Sequence, residues 1–224
     1  MAGGVTFANA SIIMQGDAHL LTRKRIRDMA TAETRDACLT VLAECGYDTD
    51  FASDDELLDA ARAQTLEIFT NLCEDPALLA CVQAMDQLTE DNTAETFATL
   101  AREIPHVKTA SIREYLTTWV DLTNVRNFYK GSRTVLPGGN LQAGELDIYP
   151  NLNFEQRKDA IRQRLDELGA VDKDNIFQPN PLFWWYLQRE KELVIIKAML
   201  ISKRFNYDVI WLRENLRGLY EQFQ

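Results

Sequence analysis

Histidine is almost missing from this chain. His19 and His106 are the only two in 224 residues, so general acid–base chemistry run through imidazole has little to stand on. No serine, cysteine or threonine sits in a recognisable nucleophile elbow. Glycine is sparse too, and its one doublet after the N-terminus, Gly138-Gly139, continues as Asn140-Leu141-Gln142 without the Lys-Ser/Thr that a phosphate-binding loop requires. Glu103-Ile104-Pro105-His106 has the Glu-x-x-His spacing of di-iron bundles, but it occurs once and Pro105 interrupts it. A turn with a solvated His106 is expected there. The four cysteines, Cys38, Cys45, Cys73 and Cys81, form no Cys-x-x-Cys pair. Spaced about two helical turns apart within each pair, they read as small buried hydrophobes of a reducing compartment, not as zinc ligands. No catalytic residue, metal site or cofactor is expected.

Long apolar runs are absent as well. Stretches such as 193–199 are cut by charge well before the ~18 residues that a membrane span needs, and the N-terminus lacks the pattern of a secretory signal. The expected compartment is the cytosol. Positive charge is outweighed: 24 basic residues against 34 acidic ones leave a net charge of −10. This disfavours nucleic acid, whose phosphates reward a basic face.

Helix signals dominate what is present. Ser53-Asp54-Asp55-Glu56 reads as a capping box opening a helix over 54–73, and Asp75-Pro76 opens another to about Leu88. Thr93 caps a short helix ending before Pro105. Ser111-Ile112-Arg113-Glu114 reads as a second capping box, after which Ile112, Tyr115, Trp119, Leu122 and Tyr129 form one apolar stripe. Further helices are expected over 31–45 (closed by Gly46), 154–168 (stopped by Gly169), 181–204 and 208–223, and a long loop over 135–150. With no confident strand, the expectation is a single all-α domain over 1–224, built from packed antiparallel helix pairs.

One pattern occurs twice. Tyr115-Leu116, Asp121-Leu122 and Val125-Arg126 return at the same spacing as Tyr186-Leu187, Glu192-Leu193 and Ile196-Lys197, and both copies run into a basic end. An aromatic, an acid, a base and aliphatics in register argue for an internal repeat, with units around 109–133 and 180–204.

Three blocks carry a resemblance. Phe7-Ala8-Asn9-Ala10, Leu20-Leu21-Thr22 and Leu42-Ala43-Glu44-Cys45-Gly46-Tyr47 make the first. The second runs from Tyr115 to Gly131, with the core Asp121-Leu122-Thr123-Asn124-Val125-Arg126 and the following loop Leu136-Pro137-Gly138-Gly139. The third runs from Pro181 to Tyr220, with Tyr186-Leu187, Glu190 and Glu192. In order and spacing they resemble the C/d family of V/A-type rotary ATPase subunits, designated C in the bacterial and archaeal motors and d in the eukaryotic vacuolar one. The chain is shorter than the family's three helical repeats, with one unit missing between Cys73 and Thr109. It carries Ile195 where the family has Asn and Ser11 where it has Arg.

The resemblance implies a funnel- or crescent-shaped, non-catalytic subunit, peripheral on the cytoplasmic face of a membrane. There it would be a collar between the rotor ring and the central shaft, transmitting torque in ATP-linked ion transport. The alternative is a stand-alone cytosolic helical adaptor that kept the fold without the motor role. An all-α enzyme ranks last, since no converging polar groups line a pocket.

Phe183-Trp184-Trp185-Tyr186 advances about 100° per residue, so the end of its helix is apolar all round. Tyr186 matches the repeat and is expected in the core, leaving Trp184 and Trp185 as interface candidates together with the basic cluster Arg23, Lys24 and Arg25. Asp121 and Asn124 share a helix face and are expected to hydrogen-bond a neighbouring helix end. Glu190 and Glu192 diverge by about 200° around a helix, so they cannot face each other as acid and base and read as a surface charge pattern.

Overall fold

The computed structural model describes residues 20–142, 154–175, 178–208, 210–212 and 216. Among them the chain is all-helical and contains no strand. The helices are α1 (Arg23–Thr31), α2 (Arg35–Glu44), α3 (Asp54–Leu72), α4 (Pro76–Asp86), α5 (Thr93–Glu103), α6 (Ala110–Tyr129), α7 (Phe154–Gly169) and α8 (Asn180–Arg204), with a 3-10 turn at Ile104–His106. The chain divides into two compact units. The first holds described residues from 69 to 184, and the second holds 20–68 together with 185–216. No helix of the described residues is long and apolar enough to cross a membrane.

Local chemistry explains most helix starts. Asp75 caps α4, its Oδ1 accepting from the N–H groups of Ala77 (3.1 Å) and Leu78 (3.3 Å). Its Oδ2 accepts from the Lys108 N–H at 2.8 Å. This buried carboxylate therefore ties the start of α4 to the chain after the 3-10 turn, besides capping a helix. Before α3 the Ser53 half of the capping box forms, its Oγ accepting from the Glu56 N–H at 3.2 Å, while Glu56 Oε2 reaches one residue past the cap and accepts from the Ala52 N–H at 3.2 Å.

Three expected boundaries change. The helix expected from Thr31 begins at Arg35, because Ala32 leaves helical geometry (ψ 136°) and the Thr34 hydroxyl caps the new start by accepting from the Ala37 N–H at 3.1 Å. Thr93 does not cap α5, and Asn92 spends its side-chain oxygen on the Thr89 N–H at 2.8 Å. The second capping box does not form. The helix α6 starts at Ala110, which puts Ser111 inside its first turn, and the Ser111 hydroxyl accepts from Asn180 Nδ2 at 3.0 Å. Of the helix expected over 208–223, residues 210–212 are helical, with Asp208 Oδ1 accepting from the Trp211 N–H at 2.9 Å. The remainder lies largely outside the described residues, as do the end of the 135–150 loop, the block Phe7–Ala10, Ser11 and His19.

In the first unit α6 packs on α7 and α4 on α5. Tyr115 stands edge-on to Phe183 (centroids 5.1 Å apart, 86°), and Phe97 stacks on Trp119 (5.8 Å, 12°). The second unit's core joins Ile26 and Met29 of α1, Leu42 of α2, Leu57 of α3 and Ile195 and Met199 of α8. Burial of such side chains contributes roughly 1.5–3 kcal/mol each, which makes the apolar faces of these helices the main source of its cohesion.

Candidate functional site

Two polar constellations sit on the helices that carry the repeated pattern. The first is in the second unit. Gly46 takes the left-handed conformation (φ 85°) that closes α2, so the Tyr47 N–H reaches back to the Leu42 C=O at 3.1 Å. The closure turns the Tyr47 side chain toward α8. There its hydroxyl donates to Glu192 Oε1, while Arg189 Nη1 donates both to that oxygen (2.6 Å) and to the Tyr47 hydroxyl oxygen (2.7 Å). The Arg189 guanidinium also stands over the Tyr47 ring, 5.1 Å from its centroid. Glu192 Oε2 accepts from the Leu21 N–H at 2.8 Å. Burial, with the Glu192 charge next to it, raises the Tyr47 hydroxyl well above the usual phenol range and keeps it a donor.

Glu192 is only 3% exposed, which overturns its reading as surface charge. Glu190, one of the positions the resemblance singled out, is half-buried, with Arg62 Nε at 3.7 Å. The Arg189 contribution was missed because an i, i+3 Arg–Glu pair inside a charged run looks like solvated surface. The one sequence signal was the position of Glu192 in the repeat.

The second constellation is in the first unit. Asn124, fully buried, makes two hydrogen bonds to one residue of the following loop: its Nδ2 donates to the Leu136 C=O at 3.0 Å and its Oδ1 accepts from the Leu136 N–H at 2.7 Å. One turn earlier, Asp121 Oδ1 accepts from the Leu141 N–H at 3.0 Å. The expected partner was a helix end; the observed one is the Leu136–Leu141 loop, held flat on α6. Glycine is required in it. A Cβ on Gly139 would lie 2.2 Å from Asp121 Oδ1, and Gly138 has φ 101° with the Ala101 backbone 3.2 Å from where its Cβ would be.

Beside the loop lies an open cleft of about 440 Å³ lined by Arg113, Glu114, Thr117 and Gly138. Its charges are engaged elsewhere. Arg113 donates to the carbonyls of Val107 and Lys108, and Glu114 pairs with Arg164 at 2.6 Å. Among the described residues no group of three or more His, Cys, Asp or Glu side chains could hold a metal ion.

The interface candidates separate. Trp185 is 3% exposed, so its own chain encloses it and it no longer serves as an interface candidate. Trp184 is half-buried, with Lys173 Nζ 5.3 Å from its ring centroid. Arg23 and Lys24 are exposed, whereas Arg25 is engaged with Glu44 at 2.6 Å.

The thiols are free, and Cys38 and Cys81 are buried. Burial raises Cys38 and Cys73 to about 11 and Cys81 to about 12, so they are poor nucleophiles at neutral pH. The unfolded thiols ionise near 8.5. Stability linked to these groups is therefore complete below that pH and falls as pH rises through 11 to 12. Urea titrations across this alkaline range should show the decline, and replacing the three cysteines with alanine should lessen it, the buried Tyr47 and Tyr115 hydroxyls, raised in the same direction, keeping their share.

Compared with models of known protein families, with curated proteins and with solved structures, the chain matches none.

Proposed function

We propose that this chain is a non-catalytic subunit of a V/A-type rotary ATPase, a collar between the membrane rotor ring and the central shaft. The observation that carries the reading is the shared use of one helical position in α6 and α8. Asp121 and Glu192 occupy it, and each accepts a backbone N–H from a non-helical segment, Leu141 in one case and Leu21 in the other. Burial follows the same correspondence: Tyr115 and Tyr186, Leu122 and Leu193, Val125 and Ile196 are buried, while Arg126 and Lys197 are exposed. The helices also close alike. Gly131 after α6 and Asn206 after α8 take positive φ, and the next N–H returns to the helix, Ser132 to Asn127 and Tyr207 to Ser202.

A collar that transmits torque needs stiff helices with their connecting segments fastened down, and it needs no titratable catalytic group. Clamps of this kind supply the fastening. Such units arranged as a funnel or open crescent would offer one face to the ring and another to the shaft, on the cytoplasmic side of the membrane.

Co-purification of the tagged chain from native membranes tests the reading. Recovery of ring, shaft and catalytic-head subunits is the expected result. Recovery of none, from membranes in which the intact motor is demonstrated, would leave the stand-alone adaptor. With Trp185 enclosed, Trp184 is the residue to probe. Trp184→Ala should weaken capture of these subunits roughly tenfold or more, as loss of an interfacial aromatic does, with helix content unchanged by circular dichroism. Undiminished capture would remove Trp184 from the interface.

A further inference from the structure

In the second unit, α8 ends in a turn that leaves apolar side chains in water. Asn206 adopts φ 56° and the Tyr207 N–H returns to the Ser202 C=O at 2.8 Å. On either side of this closure Phe205, Tyr207 and Ile210 are 56%, 44% and 64% exposed. The rings of Phe205, Tyr207 and Trp211 form a ladder with centroids 5.8 and 4.6 Å apart. Single exposed hydrophobes are ordinary, but a contiguous set marks a contact surface.

The charged groups about this set are mainly basic, although the chain as a whole carries −10; the acids among them are Asp208, exposed between Tyr207 and Ile210 with its Oδ1 on the Trp211 N–H, and Asp28 on α1. The Arg204 guanidinium lies 5.6 Å from the Phe205 ring centroid. Lys203 Nζ donates to the Ala30 C=O at 2.7 Å, which joins the end of α8 to the last turn of α1. That helix carries Arg23, Lys24 and Arg27, all exposed. None of the three has an acidic partner among the described residues.

We propose that this surface docks on an anionic lipid bilayer. Phe205, Tyr207 and Ile210 enter the headgroup boundary, and the α1 cations rest on lipid phosphates. Aromatic rings with a polar or cationic edge favour that boundary, and unpaired basic residues are drawn to anionic headgroups. Phe205 and Tyr207 stand exposed at a turn, and Trp211 rests partly buried against the core behind them. A folded partner would have to present a matching pocket, whereas a bilayer accommodates them as they stand. The inference is independent of the motor reading, because contact with lipid requires neither ring nor shaft.

The test is sedimentation of the purified full chain with vesicles of phosphatidylcholine alone and of equimolar phosphatidylcholine and phosphatidylserine. The chain should pellet with the anionic vesicles only. Each removed cation should weaken partition about fivefold, so Arg23→Gln, Lys24→Gln and Arg27→Gln together should cost roughly a hundredfold. Phe205→Ser with Tyr207→Ser should weaken it by roughly tenfold or more. Both sets alter exposed side chains, and circular dichroism checks that the helices persist.

Absence of binding to either vesicle, equal binding to both, or full binding by the Phe205→Ser, Tyr207→Ser variant would overturn the proposal. So would a dimer that forms without lipid and is lost in that variant, because the rings would then belong to a contact with a second copy. Capture of motor subunits is a separate readout, so either idea can fail alone.

Discussion

Replacing Glu192 with alanine is expected to lower stability by about 3–5 kcal/mol, read as a fall in the urea midpoint. Arg189 is nine-tenths buried, and its acceptors among the described residues are Glu192 Oε1 and the Tyr47 hydroxyl oxygen. Its Nε has no acceptor among the described residues. Removing the carboxylate leaves a buried cation without its counter-charge, and it also frees the Leu21 N–H that leads into α1. The loss comes from stranding Arg189 more than from the net worth of the pair. Replacing both residues, Arg189→Met with Glu192→Leu, should therefore recover much of the stability, since apolar side chains of similar volume often substitute for a buried ion pair without loss. If the double variant is no more stable than Glu192→Ala, the cost lies in the Leu21 and Tyr47 contacts instead. Hydrogen exchange at the Leu21 amide separates the two, because it reports that hydrogen bond directly.

Asn124→Ala should cost about 2–4 kcal/mol, since it strands the N–H and C=O of Leu136 together. The loop should loosen before the helix does. Amide exchange is expected to accelerate at Leu136 and Leu141 while α6 keeps its protection. The corresponding position in α8 is Ile195, completely buried among Leu42, Met199 and their neighbours. Among the described residues no loop is fastened there, and its hydrocarbon side chain needs no polar partner. Asn124→Ile should therefore not rescue the loop, although it restores volume: a branched hydrocarbon offers Leu136 neither donor nor acceptor. Rescue by isoleucine would show that Asn124 acts by packing.

Much of the fold was legible before any coordinate. Asp75-Pro76 and Ser53 to Glu56 announce helix starts through groups that must satisfy free backbone N–H donors, and both behave as expected. Gly46 closes α2 because a left-handed residue favours glycine. Errors arose where two local solutions compete. Thr31 and Thr34 are both plausible caps, and only the turn at Ala32 decides between them. Ser111 has the side chain for a capping box, but Asn180, far away in sequence, takes its hydroxyl.

The candidate sites divide along the same line. Tyr115, Tyr186, Asp121 and Glu192 stood out by spacing, since a repeat is a property of order along the chain. Which acid is buried, and what it holds, could not be read from order. Glu190 and Glu192 are two residues apart on α8, yet one is half-exposed beside Arg62 and the other is enclosed by Tyr47, Arg189 and the Leu21 amide. Trp184 and Trp185 divide in the same way.

By itself, then, the sequence determined the all-helical class, most helix boundaries and the repeated pattern, because capping, glycine closure and hydrophobic period act over a few neighbouring residues. Tertiary structure alone decided that Glu192 meets Leu21 and Tyr47 across most of the chain, that Asn124 grips a loop and not a helix end, and that Trp185 is enclosed while Phe205 and Ile210 remain in water. Burial and charge pairing depend on which segments the folded chain brings together, and distance along the chain does not encode that.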